Sequence, residues 1–127
     1  MGDFNDEPHN RSMRQYALST HSMMKAKKSK LSPRLYNLTW PLMGKGLGTH
    51  YFDNFPNMLD QFLVSKGCMI SNSPIRAILD SVKIESFPEM MTDGYKIPKR
   101  FERPSSNNLD ISGYSDHFPI SMAIKES

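Results

Sequence analysis

Apolar positions in this chain come in short patches separated by polar and proline-containing stretches, and they predict a mixture of helix and strand. From Ser12 onward Met13, Tyr16, Ala17 and Met24 recur at roughly helical spacing, with Ser12 placed as an N-cap, which predicts a helix from about Met13 to Lys28. Ser32-Pro33 ends it, since the residue before proline avoids the helical region. Thr49 to Phe52 reads as a short strand and Asn57 to Ser65 as a longer one, joined through Asp53-Asn54-Phe55-Pro56 into a hairpin with a loop of about four residues. Alternation puts Met58, Asp60, Phe62 and Val64 on one face of the longer strand. Pro74, after Ser71-Asn72-Ser73, predicts a helix start with Ile75, Ile78 and Leu79 on one side. Ser81 to Ser86 reads as another strand. Phe87 to Ser112, with Pro88, Pro98 and Pro104, reads as irregular loop. Phe118, Ile120, Met122 and Ile124 then alternate into a final strand with one buried face.

Composition narrows this picture. At 127 residues the chain is long enough for one domain with one core. That core should be modest, because hydrophobic residues are 38% of the chain and the mean hydropathy is −0.54. Sixteen Lys and Arg against 13 Asp and Glu leave a net charge of +3, which permits an anionic ligand without demanding one. The basic run Lys25-Ala26-Lys27-Lys28-Ser29-Lys30 reads as a solvated helix end, where cations are favoured. Gly44, Gly46 and Gly48 read as a flexible turn, since no Lys-Ser/Thr pair follows as a phosphate cradle would require. Cys68 is the only cysteine, so an intrachain disulfide and a zinc knuckle are excluded. No apolar run approaches the ~18–20 residues of a membrane span, and the N-terminus lacks a signal-peptide layout, so a cytoplasmic location is the default expectation.

Three separated segments carry the polar chemistry. Asp3 and Asn5, two residues apart, point the same way if the segment is extended. Asp60 is an acid on an otherwise apolar face and needs a donor, for which a histidine ring is suited. Asp116 and His117 stand at the head of the last strand. Taken singly, an Asp-His pair is more often a surface ion pair and a strand-end aspartate more often a turn residue. Taken together, "GDFND", "NMLDQFLVS" and "GYSDHFPI" resemble three signature segments of the endonuclease/exonuclease/phosphatase family, the exonuclease III and deoxyribonuclease I group. "GTHYF" adds to the likeness, which runs from Gly2 to about Ile124.

The resemblance implies an α/β fold, half of a two-sheet α/β sandwich with mostly antiparallel strands and flanking helices. Residues 1–127 would then be the C-terminal portion of the domain, with the first half and its metal-binding glutamate segment absent; Glu7, Glu85, Glu89, Glu102 and Glu126 lie in no matching motif. It implies metal-dependent phosphoester hydrolysis, with Asp3 orienting the attacking water, Asn5 bonding the phosphate, His117 contacting the phosphate and Asp60 fixing its ring. Asp116, with Asp3, would hold Mg²⁺ or Mn²⁺, bound weakly without the missing half, and the isolated chain is expected to be weakly active or inactive. Alternatives are a non-catalytic binding domain or a decayed fragment of such an enzyme. The substrate would be a phosphate ester, with nucleic acid among the candidates. Lys99, Arg100 and Arg103 offer a basic cluster near the site, although a solvated loop is the plainer reading of them. An unpaired sheet also implies self-association or a complementing half, with Phe62, Val64, Ile120 and Met122 as the open face.

Overall fold

The structure is a computed structural model that describes residues 1–102, 107 and 109–126. It is built mostly of short strands in small sheets, with few helices. β1 (Gly2–Asp3) pairs antiparallel with β6 (Asp60–Gln61). β2 (Ser19–Thr20) runs parallel to β3 (Leu35–Asn37), whose other edge pairs antiparallel with β7 (Leu63–Val64). β4 (His50–Phe52) and β5 (Phe55–Asn57) form a hairpin. β8 (Ile75–Ala77) pairs with β11 (Ile124–Glu126), and β9 (Lys83–Ile84) with β10 (Ile120–Ser121), both antiparallel. No helix of the described residues is long and apolar enough to cross a membrane.

The helix expected from Met13 to Lys28 is broken. A five-residue π-helical turn covers Ser12–Tyr16, Leu18 takes a φ of +55°, β2 follows, and only Met23–Lys28 forms an α-helix, α1. The cap also moves. The Ser12 hydroxyl donates to the Asp6 carboxylate, while the Ser22 hydroxyl caps α1 by accepting from Lys25 N at 3.3 Å. Of the apolar positions that suggested one helix, Met13 is buried but Tyr16 and Met24 are 77% and 61% exposed, so they never formed a single core stripe.

Residues 57–65 do not form one strand either. Phe62 N leaves the ladder to donate to the buried Thr39 Oγ1 at 2.9 Å, which separates β6 from β7. Met58, Phe62 and Val64 are buried as the alternation requires, but Gln61 on the opposite side is also fully buried, so both faces are covered. The hairpin turn is tighter than expected: Asp53 and Asn54, with φ of +47° and +66°, make the two-residue turn that suits a twisted ribbon. The helix expected after Pro74 is strand β8 instead. The strand expected over Ser81–Ser86 is present as β9, and the last strand is divided into β10 and β11. Within the irregular stretch lie a 3-10 turn at Pro88–Met90 and a bridge between Met91 and Pro98.

The main core gathers Ala26, Tyr36, Leu38, Phe62, Val64 and Val82, with Ile120 and Met122 packed against it. The four residues expected to form an open apolar face are therefore turned into this core. A two-sheet sandwich with helices on its flanks is not what the described residues display; their strands form separate small sheets, all antiparallel except for β2 with β3.

Candidate active site

The site begins at the end of β1. Asp3 is the last residue of that strand, and Asn5 then turns the chain with a φ of +51°, a conformation asparagine tolerates better than most residues. Asn5 N donates to Asp3 Oδ1 at 2.9 Å, an Asx turn that fixes the carboxylate and leaves its second oxygen for other partners. The segment is thus bent, and Asp3 and Asn5 are not the same-facing pair of an extended strand. Phe4 N donates to Leu59 O at 3.0 Å and ties the turn to the neighbouring segment.

Across the ladder, Asp3 stands directly opposite Asp60. Like charges opposite each other in an antiparallel pair are destabilising. The second carboxylate is matched by His117, whose Nδ1 lies 2.7 Å from Asp60 Oδ2 with both side chains largely shielded. Asp3, Asp60 and His117 each offer one ligand atom, all within 4.8 Å of one another. Asp116 is exposed and belongs to an adjoining group with His50 and His117, again within 4.8 Å. His117 is the residue common to both groups.

A closed ring of contacts holds this arrangement. The fully buried Thr49 accepts from Leu59 N and Asp60 N through Oγ1, at 3.1 Å each. Its carbonyl accepts from Phe118 N at 2.7 Å, and His50 bridges to His117 beside it. Thr49 is therefore bonded to Asp60 and to the neighbour of His117, and the side chains of Asp60 and His117, 57 positions apart, then meet. Two glycines permit the close approaches. A Cβ on Gly48 would lie 2.7 Å from Asn57 N, and one on Gly113 would lie 2.2 Å from Arg100 O, just ahead of the segment that carries Asp116 and His117.

Behind Asp60 runs a buried polar chain. Gln61 Nε2 donates to Asp6 O at 2.6 Å, and Gln61 Oε1 accepts from Asn37 Nδ2 at 2.7 Å; Asn37 Nδ2 also reaches Ser19 Oγ at 3.3 Å. These contacts tie β2, β3 and β6 to one another and to Asp6 in the segment that follows β1, close to the pairing of Asp3 with Asp60. Glu7 accepts from Met58 N at 3.1 Å and lies 3.7 Å from His9. Asp6 has its carboxyl held below the ordinary value, first by the Ser12 hydroxyl and then by Asn10.

The sequence pointed to Asp3, Asp60, Asp116 and His117, and all four lie in these two adjoining groups. Asn5 sits at the same turn through its bond to Asp3. The residue missed is His50, whose ring centroid is 4.9 Å from that of His117. Its only signal was a place in "GTHYF", one residue after the threonine that anchors Asp60. In the second basic cluster, Lys99 is engaged by Asp110 at 3.1 Å and by Ser112 at 2.6 Å, and Arg103 lies outside the described residues. The Ser112 hydroxyl and backbone N–H, and then the Lys99 ammonium, lower the Asp110 carboxyl to about 2.

Carboxylates and a carboxylate-bound histidine from three separated segments thus stand with their ligand atoms close enough to share one metal ion. The model of the Endonuclease/Exonuclease/phosphatase family matches residues 1–126, and the chain belongs to that family. The match points to a phosphoesterase-type hydrolase. Comparisons with curated proteins and with solved structures gave no match.

Proposed function

We propose that this chain hydrolyses phosphate esters through a cation-assisted water, with Asp3, Asn5, Asp60, Asp116 and His117 as the working residues. The observation that supports the reading best is the 2.7 Å bond between His117 Nδ1 and Asp60 Oδ2, set against Asp3 on the opposing strand. A fold that keeps two aspartates face to face breaks a local rule of sheet design, and such breaches concentrate at functional sites.

The donor set fits a hard divalent cation. Asp3 and Asp116 are exposed carboxylates, and Mg²⁺ takes one or two of these while keeping several waters. His50 adds an imidazole, a ligand that transition-metal cations take more readily than Mg²⁺ does. When bound there, such a cation supplies charge neutralisation for the phosphate and acidifies a water. The remaining chemistry belongs to the chain's own groups. Asp3 orients the attacking water by accepting a hydrogen bond from it. Asn5 donates its side-chain amide to a phosphate oxygen. Asp60 accepts a hydrogen bond from His117 Nδ1 and fixes the ring, so that an Nε2–H on its other side donates to a phosphate oxygen and stabilises charge that develops there. The small sheets, on this reading, are parts of the family's two-sheet α/β sandwich.

The test is hydrolysis of bis(p-nitrophenyl) phosphate and p-nitrophenyl phosphate with Mg²⁺ or Mn²⁺ and with EDTA. The expected result is slow, metal-dependent release of nitrophenolate, reduced about 10²-fold or more by Asp60→Asn and His117→Ala. Release that persists undiminished in His117→Ala, or no release from either ester with either metal, overturns the reading.

A further inference from the structure

Four of the chain's 16 Lys and Arg meet in one place. A cleft of about 550 Å³ is lined by Arg11, Arg14, Lys25 and Arg34, with His21 and Trp40 forming an aromatic wall. No carboxylate lines it, and none of these four cations forms an ion pair among the described residues. Their hydrogen bonds are to neutral groups: Arg11 Nε donates to Gln15 Oε1 at 2.6 Å and Arg34 Nη1 to Arg14 O at 2.8 Å. Four like charges around one concavity repel unless an anion enters, and concave walls raise the local potential that draws it in.

The aromatic wall says what kind of anion. The His21 and Trp40 rings stack with centroids 4.9 Å apart and planes 29° from parallel. Trp40 is only partly buried and His21 is exposed, so the pair is not sealed in a core. A flat face beside a row of cations is the arrangement that takes an unstacked base together with the phosphates on either side of it. A duplex keeps its bases stacked inside and presents no such ring, and a lipid phosphate headgroup has no aromatic ring to stack there. A chain of buried hydrogen bonds links the cleft wall to the candidate active site. Ser19 in that wall is bonded through Asn37 to Gln61, the neighbour of Asp60.

We propose that this cleft binds single-stranded nucleic acid, with Arg11, Arg14, Lys25 and Arg34 on the phosphates and one base against Trp40 and His21. The proposal rests on the phosphoester reading above for its link to chemistry, and it names the substrate class of that site. Trp40 is the chain's only tryptophan, so its fluorescence reports on the cleft directly.

The experiment titrates the protein with an eight-residue oligothymidylate in EDTA and follows Trp40 emission. Saturable quenching is expected, with a log–log salt slope of about −2 to −3, from ~0.7 per phosphate contact. The exposed Arg11→Ala and Lys25→Ala changes together should weaken binding tenfold or more at low salt, with an unchanged far-ultraviolet circular dichroism spectrum. Lys45→Ala, outside the cleft, should not change it. Heparin, an anion without bases, should compete with the oligonucleotide but not reproduce its quenching, and a duplex of equal length should bind more weakly. No quenching, or equal binding by Arg11→Ala/Lys25→Ala, overturns the cleft assignment. Equal quenching by heparin overturns the stacked base, and equal affinity for duplex overturns the single strand. Because no hydrolysis occurs in EDTA, the two readings separate. Binding without ester hydrolysis elsewhere removes the catalytic reading alone, and hydrolysis of the small esters without binding removes this one alone.

Discussion

Replacing Thr49 by valine tests whether one hydroxyl holds the active-site geometry. The side chain is fully buried, and its Oγ1 accepts from two backbone donors, Leu59 N and Asp60 N, at 3.1 Å each. Valine keeps the shape and removes the acceptor. Each bond contributes about 1 kcal/mol, and a buried donor left without a partner costs about 1–3 kcal/mol. Leu59 and Asp60 are only part-buried, so water reaches them and the lower end applies. Two donors then give a loss of about 2–3 kcal/mol. The extra buried methyl returns at most about 0.8 kcal/mol. The net is a destabilisation of about 1–2 kcal/mol, or a fall in Tm of about 4–8 °C for a chain of this size. Thermal unfolding by circular dichroism measures it. Activity measured well below Tm should fall as well, since Asp60 loses its backbone anchor and with it the placement of His117. Thr49→Ser keeps the oxygen and should lose stability through its missing methyl but retain turnover. A Thr49→Val protein with wild-type Tm and wild-type turnover would refute the claim that Thr49 positions Asp60.

Gly113→Ala should destabilise by about 1–3 kcal/mol or prevent folding, because its Cβ would sit 2.2 Å from Arg100 O; denaturant titration reads it. Gly48→Ala should act in the same direction, with contacts of 2.7 Å to Asn57 N and 2.8 Å to Pro56 Cβ. The lowered Asp110 carboxyl, at about 2 against 3.8, contributes stability that is present above pH ~4 and lost as the pH falls from there through about 2. An acid titration of Asp110→Asn should lack that component, and a profile identical to wild type would count against the Lys99–Asp110–Ser112 cluster as its source. Gln61→Leu removes the centre of the chain between Asn37 and Asp6, taking the partner from Asp6 O and leaving Asn37 Nδ2 with only the longer contact to Ser19 Oγ. It should cost at least about 2 kcal/mol, read by the same denaturant titration.

The candidate site was legible because its chemistry is written locally. An acid inside an apolar run, such as Asp60, demands a partner wherever the chain goes, and the Asp-His pair at the head of the last strand supplied it. The hairpin was legible for the same reason, since Asp53 and Asn54 carry the left-handed conformations that a tight turn needs. The long helix was not legible as broken. Its apolar spacing fits a helix, yet Ser19 and Thr20 are taken into a parallel pairing with Leu35 and Tyr36, and no local signal announces that partner. The strand β8 was hidden in the same way. Pro74 is a common helix starter, but Ile75 to Ala77 pair with Glu126 to Ile124 from the far end of the sequence, and tertiary pairing overrides the local preference.

His50 and the basic cleft show why the rest escaped. His50 gains its meaning from His117, which is 67 positions away and reaches it only because Thr49 takes Phe118 N into its carbonyl. The cleft cations come from four separate places: Arg11 before the π-helical turn, Arg14 within it, Lys25 on α1 and Arg34 before β3. Only Lys25 belonged to a run dense enough to notice, and there a solvated helix end was the plainer reading. What unites the four is the break at Leu18, which folds the π-helical turn against β2 and brings the segment before β3 alongside, with Leu35 N donating to Leu18 O at 3.0 Å. The turn at Leu18 and the pairing of β2 that interrupt the predicted helix thus also bring the cleft's walls together. A continuous helix would spread Arg11, Arg14 and Lys25 along its length, with 1.5 Å of rise per residue separating Arg11 from Lys25 by about 21 Å. Breaking that helix is what gathers these charges around the stacked rings of His21 and Trp40.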